Sequence, residues 1–357
     1  MASGSNSFFP LAEGAAEAAS ARRPETRDIV RRLGVIPPER ITITNYPVAR
    51  PLAVFNAALS VEEDNARIYA RIIMGYYLYI SAIAEINIPL EDINDGSVGW
   101  RNYAAAIVVY PSTRYDVWGT EDPRVFRLDE KLYMVYTGRT VNYFRQGAER
   151  ERTLPVAAVM EENGWTKKAV FVLPPGLRRH LISDKNAFLV RVGGDLLLFH
   201  RPHMDDNRFY LAVSKVEELP HTCSSGICEI EVRDTVWVLP QAPFETKIGW
   251  ATPPVDVAGD TVIALAHGVD REIGVYRVFA VKLRYSRKRG ITVESVTPTY
   301  IMEPREIYEV YGDRPYTIFP CGAWRVDRDT VLLTYGAGDY VVGIGSLNIN
   351  ELIDMLE

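Results

Sequence analysis

A polar turn followed by a β-branched or aromatic strand recurs five times along the 357 residues, as DNARIYARII, DEKLYMVYTG, GGDLLLFHRP, GDTVIALAHG and RDTVLLTYGA. Equivalent positions, Ile72, Tyr136, His200, His267 and Tyr335, stand 64, 64, 67 and 68 residues apart. So long and regular a period marks an array of like units. Each copy follows a second strand-like segment that opens on polar residues or Pro: FNAAL, EDPRV, DKNAFLV, TPPVDV and FPCGAW. The repeated unit is therefore a β-hairpin. Five such units with no helices between them predict an all-β, five-bladed β-propeller, because a closed radial array leaves few exposed strand edges. Short alternating strands alone would also fit a single sandwich; the fivefold period favours the propeller.

Outside the repeat, residues 1–40 are rich in Ala, Glu and Arg and read as an arm, partly helical, with one short amphipathic segment ending near Gly34 and the Pro37-Pro38 pair. Residues 41–357 then form a single propeller domain. A short helix closes the chain, with Asn348 or Asn350 capping ELIDML and Leu352, Ile353 and Leu356 turned to the body.

In a propeller the first strand of every blade lines the central channel, so equivalent positions converge at one mouth. That set is Asn56, the Glu121-Asp122 pair, Lys185 with Asn186, Thr252 with Pro253, and Phe319-Pro320, and loops after the second strands add Arg201, His203, His267 and Asp339. The formal charge is −6, so no net basic field attracts nucleic acid or an anionic membrane, and an anion would need a local cationic pocket. Lys185, Arg201, Lys247 and His267 supply one. Arg offers a fork and Lys a point charge to phosphate oxygens, while His donates or titrates near neutrality. Phosphate is already anionic and nucleophilic, so one well-placed carboxylic acid, Asp122, suffices beside it, where transfer of a glycosyl group to water ordinarily needs two carboxylates. One acid with an anion cradle reads as phosphorolysis.

At these same residues the chain resembles the β-mannoside phosphorylases of glycoside hydrolase family 130, which are five-bladed propellers. The resemblance rests on GTEDPRV at 119–125, HRP at 200–202, KIG at 247–249 followed by TPP, HGVD at 267–270, YEVYGDRPYTIFPCG at 308–322 and YGAGD at 335–339, in the family's order. It implies that Asp122 is the general acid, protonating the glycosidic oxygen through a neighbouring sugar hydroxyl. It implies phosphate binding by Lys185, Arg201, Lys247 and His267, and contact with the sugar whose bond is broken by Asn56, Arg71 and Asp339. Glu121 and Asn186 are expected to bind the substrate beside them. Attack from the opposite face would invert the anomeric centre and give an α-sugar 1-phosphate. Tyr316 stands where the family pattern has Asn, at the position facing the acceptor sugar, and Ala251 replaces the second Gly of KIG-x-G. An inverting hydrolase of the same fold would have lost the cations and gained a second carboxylate, and a non-catalytic sugar-binding propeller would need neither Asp122 nor the anion site.

Inorganic phosphate is expected as co-substrate, with no cofactor and no metal. His221, Cys223 and Cys228 in HTCSSGIC lack a fourth ligand and read as a surface loop or labile disulfide. His200 reads as a hydrogen-bonded core residue, and Trp250 is the best candidate to stack on a sugar face. The most apolar run, Ile72 to Ala84, has 13 residues and cannot cross about 30 Å of hydrocarbon as a helix. The start lacks a basic n-region and is interrupted by Glu13 and Glu17, so a cytoplasmic protein is expected. The partners expected are an oligosaccharide and phosphate, with no nucleic acid and no membrane; a homo-oligomer is left open.

Overall fold

The computed structural model describes residues 7–144, 150–219, 223 and 226–356. Its strands form five sheets, each built outward from one inner strand: Ala53–Glu62, Thr120–Leu128, Leu181–Val192, Glu245–Trp250 and Ile318–Arg325. The first four inner strands pack against one another in turn, and the fifth packs on the first and on Tyr276–Ser286 of the fourth blade, which closes the five-bladed propeller. The five repeat positions fall on the second strands, Asn65–Ile73, Lys131–Arg139, Asp195–Met204, Thr261–Asp270 and Thr330–Ala337, and all five side chains are buried. They lie between blades, where apolar faces on both sides need filling. In the fourth blade the inner edge is interrupted. Glu245–Trp250 is followed by Pro253-Pro254, which cannot donate to the ladder, and pairing resumes at Asp256–Ala258.

The N-terminal region departs from the sequence expectation. Its helix covers only Ala15–Ala21, and Arg31–Ile36, expected within the arm, is a strand that pairs antiparallel with Val341–Asn348 and completes the fifth blade. A strand whose partner lies more than 300 positions away leaves no local trace; RRLGVI is short, carries Gly, and is only partly buried. At the other end Asn348 is the cap, its side chain accepting from the Asn350 and Glu351 N–H groups.

The arm bridges the third blade at Leu11–Trp237 and the fourth at Glu13–Thr292 before its helix, and beyond the helix it meets the connection that follows the fourth blade at Thr26–Tyr300. Arg22 anchors it. Its Nη1 donates to both Glu245 oxygens at 2.7 and 2.8 Å, its guanidinium lies 3.5 Å from the Phe279 ring centroid, and neither charged side chain reaches solvent. Tyr300 and the Ala242 N–H also donate to Glu245. Removing one member strands a buried charge, so Arg22→Ala is expected to destabilise the fold by about 3–5 kcal/mol, read as a lower urea midpoint at unchanged slope. A loss under about 1 kcal/mol would show that the arm is held by its other contacts.

Candidate active site

The inner strands share a second feature that the repeat did not disclose. Each skips a ladder position near its start: between Phe55 and Ala58, Glu121 and Arg124, Lys185 and Phe188, Glu245 and Lys247, and Pro320 and Gly322. In three of them the skipped residue is Asn56, Asp122 or Asn186, with φ of 46°, 48° and 59°. Asn and Asp are the side chains that best tolerate this left-handed backbone, and a bulge re-aims the side chain it carries. Three blades thus turn one polar group each into the same space. Close approach is enforced around them: a Cβ on Gly336 would lie 1.8 Å from Asn56 Oδ1, and one on Gly249 would lie 2.5 Å from Asn186 Nδ2.

The space is a cavity of about 750 Å³, lined among others by Asn56, Arg71, Asp122, Lys185, Asn186, Arg201, Lys247 and Asp339. Eight of the eleven residues expected at the site therefore meet there. Asp122 accepts from Asn56 Nδ2 at 2.8 Å and from Arg71 Nη1 at 3.1 Å, both at Oδ1. Arg124, which could have been the mere ion-pair partner of this Asp, instead donates to the Asp122 backbone oxygen and, across the channel, to the Ala251 carbonyl at 2.9 Å. It fixes the acid's backbone and leaves its carboxyl to the cavity.

Glu121, expected to bind substrate, instead lies behind the lining, fully buried, and organises cations. Lys185 meets it at 2.9 Å, Arg139 at 2.6 Å and the Tyr143 hydroxyl at 2.5 Å, with Arg71 at 3.4 Å. Burial alone would raise its pKa, but Arg71, Lys185 and Arg139 together hold it well below the ordinary carboxylate range. Lys185 therefore enters the cavity with its charge already shared.

Arg201, Lys247 and Arg314 differ: among the described residues none of them has a carboxylate within ion-pairing distance. What surrounds them is aromatic, with Phe209 beside Arg201 and Lys247, and Tyr276 between Lys247 and Arg314. Burial, reinforced by Arg201, Arg314 and Lys185, pushes the Lys247 ammonium down to about 7, and burial lowers Arg201 as well. Burial raises Asp339 to about 6 although Arg71 and Arg314 both act against the rise. An uncompensated cationic wall in a partly closed cavity is a place for an anion.

Three expectations need correction or relocation. His267 is fully buried, outside the cavity lining, with its ring 4.8 Å from Phe319 and 5.6 Å from Tyr276. Burial and then Arg201 and Lys247 drive its pKa well below the usual value, so it stands behind the cations as a neutral imidazole and is not one of them. Tyr316 is exposed and does not line the cavity; its backbone carbonyl accepts from the Tyr276 N–H. Trp250 is completely buried, donates to the Ala212 carbonyl and packs edge-on to Phe199, which makes it core. His200 is held by Asp184 and Ser214 at 2.7 Å each, as a core histidine should be. His203 is half-buried and stacked on Phe209. Cys223 and Cys228 form a disulfide, and His221 lies outside the described residues. Arg314, Tyr276, Tyr143, Tyr76 and Tyr79 line the cavity without having been singled out; they sit on third strands and loops that the hairpin repeat does not cover.

Comparison with known proteins agrees with this geometry. The family described as β-1,4-mannooligosaccharide phosphorylase matches residues 20–357. The chain belongs to glycoside hydrolase family 130. The family's description and the phosphorylase relatives that follow together make this family 130 protein an enzyme of the glycoside phosphorylase class. It is 24% identical over 317 residues to a β-1,2-mannobiose phosphorylase of Thermoanaerobacter sp. (strain X514), covering 85% of this chain and 95% of that one. It is also 24% identical over 245 residues to a 1,2-β-oligomannan phosphorylase of the same organism, covering 69% and 73%. Among solved structures, β-1,2-mannobiose phosphorylase from Listeria innocua, in complex with β-1,2-mannobiose, superposes with a TM-score of 0.67 at 15% identity over 92% of this chain and 99% of that one. At that identity the likeness concerns the fold.

Proposed function

We propose that this enzyme cleaves a β-mannoside with inorganic phosphate, with inversion, to give α-mannose 1-phosphate and a shortened acceptor. The observation that carries the reading is the wall of Arg201, Lys247 and Arg314, without ion-paired carboxylates among the described residues, in the same cavity as Asp122, whose carboxyl Asn56 and Arg71 hold. A phosphate oxygen attacks the anomeric carbon from the cationic side. The glycosidic bond breaks as a proton leaves Asp122 and passes through a neighbouring sugar hydroxyl to the departing oxygen. Both donors meet Oδ1, which leaves Oδ2 as the oxygen to hand the proton on. Asn56, Arg71 and Asp339 hold the donor sugar, Asn186 closes the floor beside phosphate, and Glu121 keeps Arg71 and Lys185 in place. Preorganised cations of this kind stabilise charge without reorganisation at the moment of transfer. His267 supports Lys247 and Arg201 from behind as a neutral ring.

The test is release of sugar 1-phosphate from β-mannobiose and longer β-mannosides, with phosphate present or omitted, and synthesis from α-mannose 1-phosphate in reverse. Turnover only with phosphate is expected. Equal turnover without it would make the enzyme a hydrolase, and binding without turnover a sugar-binding propeller.

The cationic wall also sets a pH dependence. Lys247, lowered to about 7, carries its charge below that pH and loses it as pH rises, so the KM for phosphate should climb on the alkaline side of about 7. Lys247→Arg keeps the charge throughout and should move that limb upward by more than a unit. An unmoved limb would assign it to another group.

A further inference from the structure

We propose that Tyr76 and Tyr79 form the wall on which the acceptor sugar stacks, so that the leaving end of the substrate is an uncharged pyranose presenting an apolar C–H face. The inference rests on the phosphorylase reading above and deepens it. In an inverting displacement the nucleophile and the leaving group lie on opposite sides of the anomeric carbon. The cations Lys185, Arg201 and Lys247 come from the third and fourth blades, and in a ring of five these face the first blade across the channel. The first blade contributes to the cavity Leu52, Phe55, Ile73, Tyr76 and Tyr79, an apolar surface except for the deeper Asn56 and Arg71. The leaving group therefore departs toward tyrosines.

The segment carrying them is unusual for a connecting loop. Residues 74–80 read MGYYLYI, with no charge, yet Tyr76 is 73% and Tyr79 41% exposed while both line the cavity. Loops at the surface are ordinarily polar, and large exposed aromatics beside a polar site mark ligand contact. Tyr79 adopts φ of 53°, a left-handed backbone that a bulky side chain enters only when its surroundings impose it. The neighbouring Tyr77, Leu78 and Ile80 line a separate groove with Tyr46 and Tyr110, so the loop presents one aromatic face to each space. Tyr suits such a wall, since its ring covers the C–H face of a sugar at little entropic cost while its hydroxyl stays solvated. Tyr316, which the sequence placed toward the acceptor, is not in this wall.

The experiment is acceptor-dependent synthesis by the full chain with α-mannose 1-phosphate as donor and mannose, β-mannobiose, glucose or N-acetylglucosamine as acceptor. Tyr76→Ala and Tyr79→Ala should each raise acceptor KM about tenfold and leave donor KM within about twofold. Tyr76→Phe and Tyr79→Phe should restore it, since stacking needs the ring; Tyr77→Ala, on the other face of the loop, should change nothing. An unchanged acceptor KM in the double Tyr76→Ala, Tyr79→Ala variant, or equal rises for donor and acceptor, would overturn the proposal. Should the parent enzyme fail to turn over with phosphate, the functional reading fails separately, and calorimetric titration with β-mannobiose still decides this one. Loss of affinity in the double variant would support the wall, and equal affinity in parent and variant would remove it.

Discussion

Asp122→Asn should lower the rate of phosphorolysis by about a thousandfold or more while leaving the KM for phosphate within a few-fold of the parent. Removal of a general acid typically costs 10²–10⁴ in rate, and the upper part of that range applies because a departing sugar hydroxyl is a poor leaving group without its proton. The substitution is nearly isosteric. Its amide can still meet Asn56 or Arg71, the left-handed backbone at φ 48° suits Asn as well as Asp, and the fold should be undisturbed. The diagnostic comparison uses a substrate whose leaving group is already acidic, such as an aryl β-mannoside. Most of the lost rate should return with it, since no proton need then be delivered. Full activity of the variant on an ordinary mannoside would take the acid role from Asp122.

Arg201→Ala should act on the other reactant. Arg201 is almost wholly buried in the lining and has no carboxylate partner among the described residues, so its charge is committed to whatever anion enters. A charge-assisted hydrogen bond of this kind is worth about 1.5–3 kcal/mol, equivalent to roughly 10–150-fold in phosphate KM. Arg201→Lys should recover only part of it, because an ammonium keeps the charge and loses the fork. Steady-state kinetics at varied phosphate and fixed mannoside reads both effects. If phosphate KM stayed at the parent value, the anion would have to sit elsewhere, with Arg314 and Lys185 the next groups to replace.

Much of this architecture was written in the chain because propeller blades repeat. The spacing of Ile72, Tyr136, His200, His267 and Tyr335 reports two strands per blade, and the position of Asn56, Asp122 and Asn186 on first strands is enough to bring them together at one mouth. The limits have equally physical causes. His267 sits on a second strand whose alternation reveals burial and not depth, so charge was assigned to a ring that its surroundings keep neutral. Trp250 interrupts an anion-binding segment in sequence, yet its side chain points between blades, where a large ring fills volume. Tyr276 and Arg314 depend on third strands and on the long connection into the last blade, and neither follows the hairpin period. The inner-strand bulges were invisible because a single extra residue leaves hydrophobic alternation intact on both sides of it.

The pairing of Arg31–Ile36 with Val341–Asn348 has a consequence for how the molecule comes into being. Arg31 and Ser346 are 315 positions apart, so at 5–20 residues per second a ribosome needs roughly 15–60 s to deliver the second partner after the first. For that interval the earliest strand has no sheet to join, and the ring stands open at the place where the first and last blades should touch. Arg314 and Asp339 reach the cavity from the same late segment. A nascent chain with four finished blades would therefore hold its acid and part of its cationic wall but neither of these groups. Ring closure and catalytic competence arrive together.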